Sequence, residues 1–304
     1  MKKSARYKRT IAITFMMLPG AIWLVVFRYI PMLGSVIAFQ NYRPYQPDPS
    51  VVNNIINSDF IGLDNFRMIF ASDRAWNMLT NTILYNLAFI FLTLVLSVAL
   101  AIAINEITRK NIAKIYQTIM FFPFFISWVV AGYFVWAFLE PTFGLLADAR
   151  MWYFDPEPWP GILIIAALWK GLGFNCIIYV AAIAGIDQEQ YEAAAIDGAS
   201  RFRQAFAITI PCIKPMILIL LIMALGRIMM ADFGLFWNIT QNSGPIQRVT
   251  EVFDTYVFRM MQASIAGSVG LSAAAGLFQS IIGLICILGT NFIIRRVDKE
   301  SAMF

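Results

Sequence analysis

Residues 191–215 read YEAAAIDGASRFRQAFAITIPCIKP. The stretch lies between two long apolar segments and carries Glu192, Asp197, Arg201, Arg203 and Lys214. A charge at the centre of a membrane helix costs about 2.5–3.5 kcal/mol on insertion scales, so a segment this polar stays out of lipid. Its composition is also too ordered for a tether. YEAAAID favours helix, and Glu189 and Glu192 sit where negative charge suits the helix dipole. Gly198 admits a turn or a close backbone approach. Residues 200–210 read as a second short helix, and Pro211 with Pro215 marks entry into the next apolar run. The stretch reads as a docking element for a soluble partner, set between membrane helices that form a pathway.

The surroundings fit that reading. The chain has 304 residues, of which 60% are hydrophobic and 13% charged, and its mean hydropathy is +0.69. Those values place it among polytopic membrane proteins. Each span needs about 20 apolar residues, so the expected fold is all-α and integral to the membrane, with six transmembrane helices. The expected organisation is a basic cytoplasmic N-terminus (1–10), a first transmembrane helix (11–39) and an extracytoplasmic loop (40–76). A five-helix core (77–294) follows, with spans near 78–105, 116–139, 161–184, 213–237 and 271–294. It contains the cytoplasmic loop 186–212 and leads to a cytoplasmic C-terminus (295–304). The apolar run after residue 10 is too long for a cleaved signal peptide. Within the 40–76 loop, Asn65–Phe70 reads as a short surface helix.

Basic residues give the orientation. With the N-terminus inside, fourteen lie on the inner side: Lys2, Lys3, Arg6, Lys8, Arg9, Arg109, Lys110, Lys114, Arg201, Arg203, Lys214, Arg295, Arg296 and Lys299. Six lie outside: Arg43, Arg67, Arg74, Arg150, Arg248 and Arg259. The positive-inside rule then puts both termini and the Tyr191–Pro215 stretch in the cytoplasm. It also accounts for the net charge of +5 without nucleic acid.

Several chemistries are disfavoured. The chain has no histidine, which removes the commonest general base and metal ligand. Cys176, Cys212 and Cys286 are far apart and form no paired motif. No Gly-Lys dipeptide occurs, so there is no Walker A loop. The expectation is a chain with no catalytic residue, no metal site and no cofactor of its own, driven by energy from another protein.

Glu192-Ala193-Ala194, three residues, Gly198, nine residues, Ile208, one residue and Ile210-Pro211 together resemble the EAA signature of binding-protein-dependent type I ABC importer permeases. Asp197 and Ala199 complete its common DGA form. YIPMLGSVIAFQNYRPY (29–45), IGLDNF (61–66), FFISWVVAG (124–132), IIYVAAIAGID (177–187), GRIMMADF (226–233) and EVFDTYVFR (251–259) resemble the complex-carbohydrate and oligosaccharide branch of that family. The resemblance implies a maltose-type permease fold in a prokaryotic plasma membrane. It implies a coupling helix built on Glu192, Ala193, Ala194, Asp197, Gly198, Ala199, Ile208 and Pro211, seated in an ATPase subunit. It also implies a second, homologous permease as a heterodimer partner, two ATPases that hold MgATP, an extracytoplasmic solute-binding protein and an oligosaccharide solute. A type I importer of a non-sugar solute is the alternative; an ion channel or sensory protein is more remote.

Ionisable groups inside apolar segments mark pathways or internal pairs. Lys170, Arg227 and Asp232 are of this kind. In one reading Lys170, Asn175 and Arg227 line a polar route, with Trp169, Phe174 and Trp237 offering aromatic faces to sugar rings. In the other, Asp232 pairs with Lys170 or Arg227. Pro123 is expected to bend span three, and Ser268, Ser272, Gly276 and Ser280 form a small-residue stripe for helix packing.

Overall fold

The computed structural model describes residues 2–43, 50–71, 73–146, 150–262 and 267–297, with side chains from Ile13 to Arg296. The charged side chains of the expected N-terminus and residues 298–304 of the expected C-terminus lie outside these. In chain order the helices are α1 (Lys2–Leu24), α2 (Ile30–Leu33), α3 (Val51–Asn57), α4 (Asp64–Phe70), α5 (Asp73–Asn105), α6 (Lys110–Phe121), α7 (Trp128–Leu139) and α8 (Trp159–Ile183). They continue as α9 (Gln188–Ile196), α10 (Arg201–Gln204), α11 (Ile210–Leu225), α12 (Gln247–Thr250), α13 (Phe253–Gln262) and α14 (Ser268–Val297). Among the described residues, five segments are long and apolar enough to cross a bilayer: Ile13–Phe39, Asp73–Asn105, Trp159–Ile183, Arg201–Leu225 and Ser268–Arg296. A bent pair, Lys110–Phe125 with Trp128–Leu139, makes a sixth if it is one span. The chain is an all-α, multi-pass membrane protein.

One compact unit comprises residues 1–71 and 257–277. Its first span is continuous from α1 through a π turn (Val25–Tyr29) and α2 to a 3-10 turn (Gly34–Phe39). Pro31 lacks an N–H and crowds the carbonyl four residues back. The π turn widens the helix there, and the Ile30 N–H reaches back to the Val25 carbonyl. The surface helix expected at Asn65–Phe70 is α4. Its buried Asn65 donates to the carbonyls of Ala38 (2.9 Å) and Gln40 (3.0 Å), tying the loop to the end of the first span. Ser268 and Ser272 are buried in this unit, and Ser272 donates to the Val257 carbonyl (3.2 Å).

The second unit comprises residues 72–256 and 278–304. Helices α5 and α8 pack along their length. One core cluster gathers Tyr85, Trp159, Leu163, Phe236 and Ile239. A second gathers Val98, Ala101, Ile104, Cys176, Tyr179 and Ile213. Cys176 is buried in this second cluster, whereas Cys212 is exposed. The N-terminal half of α5 is sewn to α12 and the residue after it by polar side chains. Arg74 grips buried Glu251 with two bonds of 2.6 Å, and Asn81 donates to the carbonyls of Arg248 (3.1 Å) and Glu251 (3.0 Å). Because α5 starts at Asp73, Asn81 lies inside the helix and does not cap it.

Two spans differ from the uniform helices expected. Span three bends by 95° between Phe125 and Trp128, as Pro123 foreshadows, and a 3-10 turn (Phe122–Phe125) fills the corner. The run 213–237 is not one span. Helix α11 ends at Leu225, where the Gly226 N–H closes on the Ile222 carbonyl. The chain is then held by the Asp254 carboxylate, which accepts from the Ala231 N–H (2.8 Å). It restarts as a π turn (Leu235–Ile239) after Asp232 accepts from the Leu235 N–H (3.3 Å). On α14 the close approach falls one turn beyond the expected stripe. A Cβ on Gly283 would lie 3.0 Å from the Gly226 carbonyl oxygen, whereas one on Gly276 would meet nothing within 4 Å.

The tightest crossing is α8 on α6. A Cβ on Gly173 would stand 1.9 Å from the Met120 carbonyl oxygen and 2.8 Å from the Phe121 Cα. Overpacking typically costs about 1–3 kcal/mol, and rigid backbone leaves little room to yield. Gly173→Leu is expected to abolish monodisperse protein in detergent size-exclusion chromatography. Gly171→Ala, where a Cβ meets nothing within 4 Å, should elute as the parent does. Equal behaviour of the two variants would refute the crossing.

Candidate functional site

The polar stretch forms two helices joined by a defined turn. Asp187 caps α9 by accepting from the Glu189 N–H (3.0 Å). The helix ends in a Schellman arrangement. The Ala199 N–H donates to the Ala194 carbonyl (2.9 Å), and the Gly198 N–H to the Ala195 carbonyl (3.1 Å). Gly198 holds φ +77°, the left-handed geometry that this motif gives to glycine. Ser200 then caps α10, accepting from the Arg203 N–H (3.3 Å). One turn of chain therefore ends a helix and begins the next.

The second helix does not stop where a separate short helix was expected. It runs through a π turn (Ala205–Thr209) directly into α11, so Arg201–Leu225 is one continuous span. The cause repeats that in the first span. Pro211 follows Ile210 as Pro31 follows Ile30, and the Ile210 N–H reaches back to the Ala205 carbonyl. Three ties then brace this region: α9 to the long helix, α10 to the turn before it, and α10 to the end of α5. Tyr191 and Thr209 share a hydroxyl–hydroxyl bond of 2.9 Å. Buried Gln204 donates to the Ala199 carbonyl (3.0 Å). Arg201 pairs with Glu106, just past α5, at 3.5 Å.

Of the signature residues, Glu192, Ala193, Asp197 and Gly198 are exposed, and Ala194, Ala199 and Ile208 are half-buried. Pro211 sits in the first turn of α11. Gln188, Glu192, Ala195, Ser200 and Arg201 help to line a polar groove of about 430 Å³. Beside them stands an exposed apolar knob. Ile196 is 87% and Phe202 76% exposed, and Phe202 lies 4.7 Å from Phe206 between ring centroids. The ties made by Tyr191, Gln204 and Arg201 were not foreseen; only the caps Asp187 and Ser200 had a readable signal, a short polar residue just before a helix.

The residues expected along the pathway do not converge on one cavity. Lys170 lies near the middle of α8. Its ammonium donates to the carbonyls of Phe124 (2.8 Å), Pro123 (3.4 Å) and Ile126. It also sits 5.3 Å from the Trp128 ring and 5.8 Å from the Phe124 ring. Phe174 stacks on Phe124 at 4.7 Å. Asp232 accepts from the Trp128 indole N–H at 2.6 Å. Among the described residues neither Lys170 nor Arg227 forms an ion pair with Asp232. Arg227 is exposed. Trp169 lines an apolar groove of about 480 Å³ with Trp128, Phe134 and Phe138. Asn175 lines a different cavity of about 230 Å³ with Thr93, Ser97 and Tyr179. Trp237 stacks on Phe233 at 5.4 Å. Sequence reasoning missed Trp128, which joins the Lys170 and Asp232 groups, and Gly234, where a Cβ would fall 2.4 Å from the Trp128 ring.

Comparison with known proteins agrees with this architecture. The chain is 32% identical to the polygalacturonan/rhamnogalacturonan transport system permease protein YteP of Bacillus subtilis (strain 168), over 94% of this chain and 88% of that protein. It is 30% identical to Protein LplB of the same organism, over 98% of this chain and 92% of that one. It superposes with TM-score 0.83 and 31% identity on a chain of the bacterial alginate ABC transporter in complex with alginate pentasaccharide-bound periplasmic protein, covering 97% of this chain and 98% of that one. Residues 93–300 match the family described as binding-protein-dependent transport system inner membrane component, and the chain belongs to that family.

Proposed function

We propose that this chain is the permease subunit of an importer for oligosaccharides or complex glycans, and that residues 186–212 couple it to an ATPase. The observation that carries the coupling is the rigid join of α9, the Gly198 turn and the continuous Arg201–Leu225 helix. A docked short helix that shares its end with a membrane span transmits displacement as a lever. The exposed Ile196 and Phe202 suit a pocket, and the groove edged by Glu192 and Arg201 suits a polar rim. The glycan assignment is supported by the likeness to YteP and to the alginate transporter, both named for polysaccharides.

The working assembly comprises this chain, a second homologous permease, two ABC ATPase subunits that bind MgATP, and an extracytoplasmic solute-binding protein. The termini are cytoplasmic. Alternating access follows when the ATPases close and the coupling helices carry the spans with them. The solute route uses Asn175, Phe174, Trp169, Arg227 and Trp237, with Lys170 and Asp232 holding the walls. No step of ATP chemistry is assigned to this chain.

Gly198→Trp tests the coupling. A Cβ there meets nothing within 4 Å in this chain, so the internal cost is the left-handed backbone, about 1–2 kcal/mol. The variant should reach the membrane in normal amount, while uptake per ATP hydrolysed falls; normal uptake would sink the docking role. Glu192→Lys reverses charge at the exposed face of α9. It is expected to reduce co-purification of the ATPase subunits with the tagged permease, and undiminished recovery would argue against contact at that face.

A further inference from the structure

The break in span three leaves a problem that the fold solves with Lys170. A helix that ends inside the membrane exposes carbonyl groups with no water to satisfy them. Here no backbone donor among the described residues reaches the carbonyl of Phe124 or Ile126. The carbonyl end of a half-helix also carries the negative pole of the helix dipole. In discontinuous membrane helices such ends are places where cations bind. At this break the Lys170 ammonium reaches three carbonyls from the neighbouring helix α8 and lies near the faces of Phe124 and Trp128.

We propose that Lys170 is a positioning residue that serves as a tethered cation, occupying at the span-three break the place a coupling ion takes in other discontinuous helices. The geometry has a second consequence. Trp128, the first residue of α7, is held by the ammonium on one side and donates to Asp232 on the other. Gly234 lets that segment lie directly on the indole. Lys170 thereby fixes the corner of span three and, through Trp128, the segment that follows span five. It orders these elements from behind the solute route and needs no solute contact of its own. The inference rests on the break and the carbonyl bonds, and holds whichever solute the importer carries.

The test is chemical rescue in the purified importer with all subunits present. Lys170→Ala should lower the melting temperature by roughly 5 °C and depress binding-protein-stimulated ATP hydrolysis. Ethylammonium chloride should restore both measures, because the truncated side chain leaves room for a free ammonium among the carbonyls. Choline chloride at equal ionic strength is too bulky to enter and should restore neither. Lys170→Met fills the space without charge, so it should be impaired and should not respond to ethylammonium. Lys170→Arg should keep most of the parent's stability. Parent-like behaviour of Lys170→Met would overturn the proposal. So would equal rescue of Lys170→Ala by choline, which reports ionic strength alone, or an impaired Lys170→Ala that no amine restores. If Lys170→Ala yields no intact importer, the melting temperature of Lys170→Met and its response to ethylammonium decide the matter.

Discussion

Inside a bilayer every backbone N–H and C=O must find a partner within the protein, and several departures from regular helix among the described residues are matched by a device that supplies one. Pro31 and Pro211 each remove a donor from a spanning helix. Both are preceded by a π turn in which the neighbouring isoleucine N–H reaches one residue further back. Pro123 coincides with a 95° break, too large for a wider turn to absorb, and there a side chain from another helix supplies the donors. After Leu225 the regular helix gives way to turns in which the Arg227, Ile228 and Met230 N–H groups reach carbonyls three residues back; beyond them Asp254 accepts from the Ala231 N–H and Gln279 donates to the Met229 carbonyl at 2.7 Å. The remedies range from a local change of pitch to a half-buried cation.

The same accounting bears on the order of the 186–212 loop. A loop in water has no obligation to satisfy its backbone internally, since solvent does so at little cost. Yet α9 is capped at its start by Asp187 and closed at its end by the Gly198 turn, and α10 is capped in turn by Ser200. Tyr191–Thr209 and Gln204–Ala199 then bind the two arms together. Order beyond what solvation requires is consistent with an element that must transmit force. A flexible loop would absorb a partner's movement before it reached Arg201–Leu225.

Apolar length and the spacing from Glu192 to Pro211 made the membrane class and the family legible, because each is a property of composition or of fixed offsets along the chain. Gly198 was legible for the same reason: only a few local geometries need glycine there. What was not legible depends on contacts across the fold. Pro123 announces a bend, but its angle depends on how α7 packs against residues 235–239. The end of span five at Leu225 is hidden because no proline marks it and the apolar run Ile228–Ala231 follows, while the carboxylate that holds the Ala231 N–H, Asp254, lies 22 residues beyond Asp232 in sequence. Lys170 and Asp232 were rightly marked as groups in need of partners. A sequence cannot show that the partner of one is a set of carbonyls and the partner of the other an indole.

Exposure carries different weight for different residues in such a chain. The exposed leucines and phenylalanines of the spans are what lipid expects, and they say nothing about partners. Arg227 is another matter. It stands exposed just beyond α11, and an arginine facing lipid tails is costly. Lys170 instead turns its ammonium onto the backbone carbonyls of the break. The contrast separates two placements of a cation within one protein: one is directed at backbone carbonyls, and the other is left exposed on this chain, where water, a solute or a second chain must meet it.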